Sequence, residues 1–143
     1  MILLDANILL YAYDEKAEQH VQARACLEEA LTDLRPVNLS WVSILAFLRI
    51  STDRKAFSEP LSMQEAATAV DGWLARPQVG ILNPGDRHWE ILRALLRDAQ
   101  VTSRLLTDAH LAALAVEHGA TLCTTDRDFA RFPSVRTLNP LSD

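Results

Sequence analysis

The sequence predicts an α/β fold, a short parallel β-sheet covered by helices on both faces. Three observations predict it. Short stretches that read as strands alternate with longer segments whose apolar residues fall at helical spacing. The first of them, Ile2 to Leu4, is apolar throughout, the pattern of a strand buried on both sides. The segments between them are long enough for helices of about ten residues or more, as crossovers between parallel strands require.

The first run, Ile2 to Leu4, reads as a buried strand with Asp5 at its tip, and the chain from Ala6 to Tyr13 turns into a helix. Asp14 to Gln19 is a polar turn. Val21, Ala25, Leu27, Ala30, Leu31 and Leu34 give His20 to Leu34 a helical spacing, which Arg35-Pro36 ends. Val37 to Leu39 is a second strand, and Ser40 caps a helix from Trp41 to Ser51 that is apolar almost all round until Arg49, so it is expected to be buried against the sheet. Thr52 to Pro60 is the most loop-like stretch. Ser62-Met63-Gln64-Glu65 is a capping box, in which hydroxyl and carboxylate each satisfy a free amide of the first turn, and it opens a helix to Leu74.

Pro77 breaks that helix, and Val79 to Leu82 is a third strand. Asn83-Pro84-Gly85 then turns into a helix from Asp86 to Arg97. Thr107 is expected to cap a helix from Asp108 to His118, with Gly119 as its stop. Thr121 to Thr124 is a strand, Asp126 lies just past its end, and Val135 to Leu138 is the last strand.

A chain of 143 residues with 49% hydrophobic content fits one domain, 1-143, without linker, repeat or low-complexity segment. Its apolar runs are far short of the roughly 18 residues a membrane span needs, and the N-terminus lacks the basic lead-in of a signal peptide, so a cytoplasmic protein is expected. Cys26 and Cys123 show no metal-ligand spacing and are expected to be buried free thiols. A formal charge of -5 argues against a protein that coats DNA non-specifically. Of the 14 basic residues 12 are Arg, which fits bidentate phosphate recognition and equally fits a compositional bias of the genome.

Burying an unpaired carboxylate costs several kcal/mol or more, so Asp5, set between two apolar runs, must meet a cation, accept hydrogen bonds or face a solvated cleft. In a parallel sheet the ends of the first and fourth strands share an edge, where the start of the last long helix also arrives. Asp5, Asp108, Asp126 and Asp128 can therefore converge. Crowded carboxylates raise one another's pKa, and a hard divalent cation such as Mg²⁺ or Mn²⁺ relieves the conflict. That ion also suits phosphodiester hydrolysis. Each acid has a plainer reading as well: Asp108 as a helix-start charge, Asp126 and Asp128 as turn formers, Asn7 as a helix cap. No P-loop, dinucleotide fingerprint or local nucleophile motif is present. Arg49, Arg54, Lys55, Arg93, Arg97 and Arg104 are candidate contacts to a nucleic-acid backbone.

LLDANILLYAY, LAFLRIST and DAHLAALAVEHGATLCTTDRDFARF together resemble the PIN-domain ribonucleases of the VapC toxin type, bacterial toxins paired with VapB-like antitoxins. The resemblance covers essentially the whole chain. It implies a PIN-like fold with Asp5 and Asp108 as metal ligands, Asp126 completing an acidic catalytic pocket, Asp128 as an additional contributor, and Asn7 and Thr125 orienting these groups. It further implies a Mg²⁺- or Mn²⁺-dependent endoribonuclease acting on structured RNA such as tRNA or rRNA, a homodimer, and an antitoxin that inserts a C-terminal segment over the active site.

One departure stands out. The family usually carries a Glu on the helix that corresponds to Trp41 to Ser51, and here the candidate equivalents, Ile44 and Ala46, are apolar. Either Asp86 or Glu90 fills the gap, or the pocket works with three carboxylates, or catalysis is weak and the chain is a module that binds RNA or a partner. A phosphatase of the haloacid dehalogenase type also begins with a strand ending in Asp. It needs a second Asp where this chain has Asn7 and a well-placed Lys, for which neither Lys16 nor Lys55 is convincing.

Overall fold

The computed structural model describes residues 1–141. Its five strands, β1 (Ile2–Leu4), β2 (Val37–Leu39), β3 (Val79–Ile81), β4 (Thr121–Cys123) and β5 (Thr137–Leu138), form one parallel sheet in the order β3-β2-β1-β4-β5. The helices are α1 (Ala6–Tyr13), α2 (His20–Thr32), α3 (Trp41–Ser51), α4 (Met63–Leu74), α5 (His88–Asp98) and α6 (Leu106–His118). β1 is central, pairing Leu3 with both Asn38 of β2 and Leu122 of β4, and Leu4 with Cys123.

Successive side chains of a strand point to opposite faces, and both faces of β1 are covered. Leu3 joins Leu122 in a core with Leu95 of α5 and Leu111 and Leu114 of α6. Leu4 joins Cys123, Leu39 and residues of α1, α2, α3 and α4 in the second core. Since Leu3 and Leu4 are 0% and 1% exposed, the strand reads as a continuous apolar run. The second core holds an aromatic cluster. Phe47 and Trp73 rings lie 4.7 Å apart, each edge-on to Tyr13, whose hydroxyl accepts from the Trp73 indole at 3.3 Å.

Several boundaries differ from the sequence reading, each for a physical reason. A 3-10 turn over Ser103–Leu105 runs directly into α6, so the helix starts at Leu106 and Thr107 lies in its first turn instead of capping it. α5 starts at His88 rather than Asp86, because Glu117 of α6 accepts from the amides of Gly85 and Arg87 at 2.8 and 3.0 Å and holds that segment as a turn. α2 stops at Thr32, where Asp33 takes an extended conformation and accepts from the Arg35 amide, leaving Leu34 exposed. β3 ends at Ile81, one residue early, and β5 is confined to Thr137–Leu138, with Val135 in the core.

Two further expectations need correction. α3 buries Ser43, Ile44, Phe47 and Ser51 but leaves Trp41 and Leu45 50% and 60% exposed, so one face of this apolar helix is open. Cys123 is a buried free thiol, whereas Cys26 is only partly buried. The Ser62–Glu65 capping box is present with both bonds, and Gly119 ends α6 at φ 66°, the left-handed conformation that glycine adopts without strain. No helix among the described residues is long and apolar enough to cross a membrane.

Candidate metal centre

Asp5 follows the last residue of β1 and caps α1. Its amide donates to the carbonyl of Cys123 at 3.0 Å, extending the β1–β4 ladder by one step, and its Oδ1 accepts from the Ala6 amide at 2.7 Å. Since Leu4 pairs with Cys123, the next step of the register sets Asp5 opposite Thr124. The Thr124 hydroxyl donates to Asp5 Oδ2 at 2.7 Å. With its one proton committed there, the Thr124 oxygen accepts from the Asp126 amide at 3.0 Å and from Asn7 Nδ2 at 3.4 Å. Thr124 is 4% exposed, so this hydroxyl is a fixed link between both ends of the chain.

The linking hydroxyl therefore belongs to Thr124, not to Thr125, the position the resemblance pointed to. The register of β1 against β4 is the signal that identifies it. Asn7 contributes its amide nitrogen to this network, while its Oδ1 is buried without a hydrogen-bond partner among the described residues.

Asp126 caps the 3-10 turn Arg127–Arg131, its Oδ1 accepting from the Asp128 amide at 2.9 Å. Asp108 lies in the first turn of α6, where the helix dipole favours a negative charge. The carboxylates of Asp108, Asp126 and Asp128 each offer an oxygen within 4.8 Å of the others. Asp5 stands beside this trio, near enough to Asp126 for their charges to interact.

Electrostatics records the crowding. Burial, then the charges of Asp126, Asp5 and Asp128, push the Asp108 carboxyl up to about 6, against the opposing pull of Arg104. Burial also raises Asp5, opposed by the bonds from Thr124 and Ala6 and reinforced by the charge of Asp126. Arg104 Nη1 lies 3.4 Å from Asp128 Oδ2, on a side chain 72% exposed. Among the other basic candidates, Arg97 is paired with Asp98 at 3.0 Å.

An oxygen-only donor set of several carboxylates fits a hard divalent cation. Neither Asp86 nor Glu90 joins the trio: Asp86 is exposed, and Glu90 faces Arg87 at 3.6 Å with 73% of its side chain exposed. On α3, Ile44 is buried and Ala46 partly so, and the helix contributes no acid to the site. His110, two residues past Asp108, meets His88 at 3.0 Å in the α5–α6 contact.

The PIN domain family matches residues 2–135. Ribonuclease VapC37 of Mycobacterium tuberculosis is 42% identical over 140 residues, covering 98% of this chain and 97% of that protein. Ribonuclease VapC43 of the same species is 40% identical over 141 residues, covering 99% and 96%. Among solved structures, VapBC2 from Rickettsia felis bound to a DNA fragment from its promoter superposes with a TM-score of 0.67 at 20% identity, over 96% of this chain and 98% of the other. A toxin-antitoxin complex from Klebsiella pneumoniae does so with a TM-score of 0.66 at 20% identity, over 98% of both chains. At that identity these likenesses speak for the fold. With the family match and the close relatives, they lead to one conclusion: this chain belongs to the PIN-domain family, among the VapC ribonucleases.

Proposed function

We propose that this chain is the toxin of a type II toxin-antitoxin module, an endoribonuclease that hydrolyses phosphodiester bonds in structured RNA such as tRNA or rRNA. The observation that carries this reading is the convergence of Asp108, Asp126 and Asp128 within 4.8 Å beside Asp5. In it, Asp5, Asp108, Asp126 and Asp128 hold Mg²⁺ or Mn²⁺, with Asp5, Asp108 and Asp126 as the catalytic carboxylates. Bound there, the cation would neutralise charge at the phosphate and favour deprotonation of an attacking water.

The residues of the chain do the positioning. Asp5 is clamped by Thr124 and Ala6 so that its carboxylate cannot turn away. Asn7 and Asp126 converge on the same hydroxyl, which keeps the acidic wall in one arrangement. Arg104, now resting on Asp128, is a cation within reach of a phosphate entering the site. The proposed partners are a VapB-like antitoxin, whose C-terminal segment covers the acidic site, and a second copy of the chain in a homodimer, all within the cytoplasm.

Asp5→Ala and Asp108→Asn each abolish RNA cleavage and toxicity on induced expression while keeping a native far-UV CD spectrum and a cooperative melt. Cleavage at the parent rate by either variant overturns the assignment. The apolar residues at Ile44 and Ala46 favour one second reading, a module that grips RNA or a partner without cutting. Titrating Mg²⁺ or Mn²⁺ into the protein with a total tRNA and rRNA pool separates them, since the binding module shows no metal-stimulated cleavage.

A further inference from the structure

Trp41 is the first residue of α3 and 50% exposed, unlike the core indole Trp73 at 2%. Its place follows from the sheet. β1 and β2 run parallel with Ile2 opposite Val37 and Leu3 opposite Asn38. Two further steps set Asp5 opposite Ser40, with adjacent strands about 5 Å apart. Trp41 is the next residue, so a half-open indole stands at the sheet edge that carries Asp5.

The start of α3 is rigid. Ser40 is fully buried, and its hydroxyl accepts from the Ser43 amide at 3.2 Å and donates to the Ser43 hydroxyl at 3.1 Å. An indole with only two side-chain torsions on such a base loses little entropy when a ligand covers it. One turn along, Leu45 is also exposed, so the outward side of this turn is apolar.

Non-specific affinity from phosphate neutralisation wants a net positive surface, and this chain has a formal charge of -5. Stacking of a base on an aromatic ring does not depend on charge and requires a base that is not already paired. We propose that Trp41 stacks against an unpaired base of the RNA substrate next to the bond that is cut. The proposal rests on the ribonuclease reading of the acidic site and adds to it a residue of this chain that positions the RNA.

The test uses the full chain with Trp89→Phe, which removes the other exposed indole and leaves Trp41 and the buried Trp73 as the emitting groups. A mixed-sequence single-stranded oligoribonucleotide quenches Trp41 emission saturably, and a fully paired RNA duplex of the same length does not. Trp41→Ala weakens single-strand binding by about 5- to 100-fold, the usual size of one stacked base. KM for cleavage rises in parallel while kcat stays within a few fold, and Trp41→Phe recovers most of the loss. A thermal melt of each variant checks the fold.

Equal quenching by the duplex overturns the proposal. Unchanged binding and cleavage by Trp41→Ala, with a parent that does both, overturns stacking and leaves the ribonuclease reading standing. A parent that neither binds nor cleaves RNA removes both. If Trp41→Ala alters only the oligomeric state in sedimentation, with RNA binding unchanged, Trp41 belongs to a protein interface and stacking is overturned.

Discussion

The hydroxyl of Thr124 donates to Oδ2 of Asp5 at 2.7 Å across 119 positions of sequence. The bond favours the ionised form of a carboxylate that burial pushes toward neutrality. Thr124→Val keeps the shape, removes the proton and leaves Asp126 and Asn7 without their common acceptor. Partners of metal ligands typically contribute 10- to 100-fold in affinity or activity. We expect Mn²⁺ affinity by calorimetry, and RNA cleavage with it, to fall by about that factor, and Thr124→Ser to restore both. Equal affinity in the valine variant would show the bond to be dispensable.

The contribution of Asp108 to stability without metal should fall as pH rises. An Asp whose folded pKa exceeds its unfolded value binds more protons when folded, so stability is lost as pH climbs from the unfolded to the folded pKa. For Asp108 that window runs from the ordinary aspartate value of 3.8 to about 6. Thermal melts in chelator across this range should show a declining melting temperature from this group, and Asp108→Asn should flatten the decline. Because Asp108 is partly solvated, the expected change is a few degrees at most.

Divalent metal should reverse that loss. At a free Mn²⁺ concentration 100 times Kd, binding to the native state alone stabilises by about 2.7 kcal/mol. The rise in melting temperature should disappear in Asp126→Asn and persist in a control such as Glu59→Gln, on an exposed loop residue. A parent protein whose melt ignores both Mg²⁺ and Mn²⁺ would exclude a native metal site.

Trp73 is 2% exposed and edge-packed against Phe47 and Tyr13. Trp73→Ala opens a cavity in the core beneath β1 and should cost about 3–5 kcal/mol in urea unfolding. Cleavage measured in the cold, where the variant stays folded, should remain near the parent rate, since the cluster does not touch the acidic trio.

Gly119→Ala isolates a backbone effect. A methyl group there meets nothing within 4 Å, so the cost comes from φ 66° alone. A destabilisation of about 1 kcal/mol is expected from denaturant titration, with no change in metal affinity.

What was legible in the sequence is what local physics decides. The Ser62–Glu65 capping box, the Gly119 stop and the apolar strand Ile2–Leu4 follow from near neighbours, and the structure has them. Where distant groups decide, the sequence was misleading. Glu117 reaches back to Gly85 and Arg87 and delays α5, which the residues around Asp86 do not reveal. The exposed side of α3 was hidden because Trp41 and Leu45 are apolar residues on an open surface. The acids of the site could be listed from their places at strand ends and a helix start. Choosing Thr124 over Thr125 required the register of β1 on β4, since one step along a strand turns a side chain to the other face.

β1 is the first strand of this sequence and the middle strand of the sheet, and its neighbour β4 is the fourth of five. During synthesis the ribosome releases Asp5 long before Thr124 and Asp126 exist to hold it. A nascent chain halted before Thr121 has an open β1 edge, lacks Asp126 and Asp128, and leaves Asp5 without the Thr124 hydroxyl. Assembly of the acidic site therefore waits on translation of β4 and of the turn that follows it.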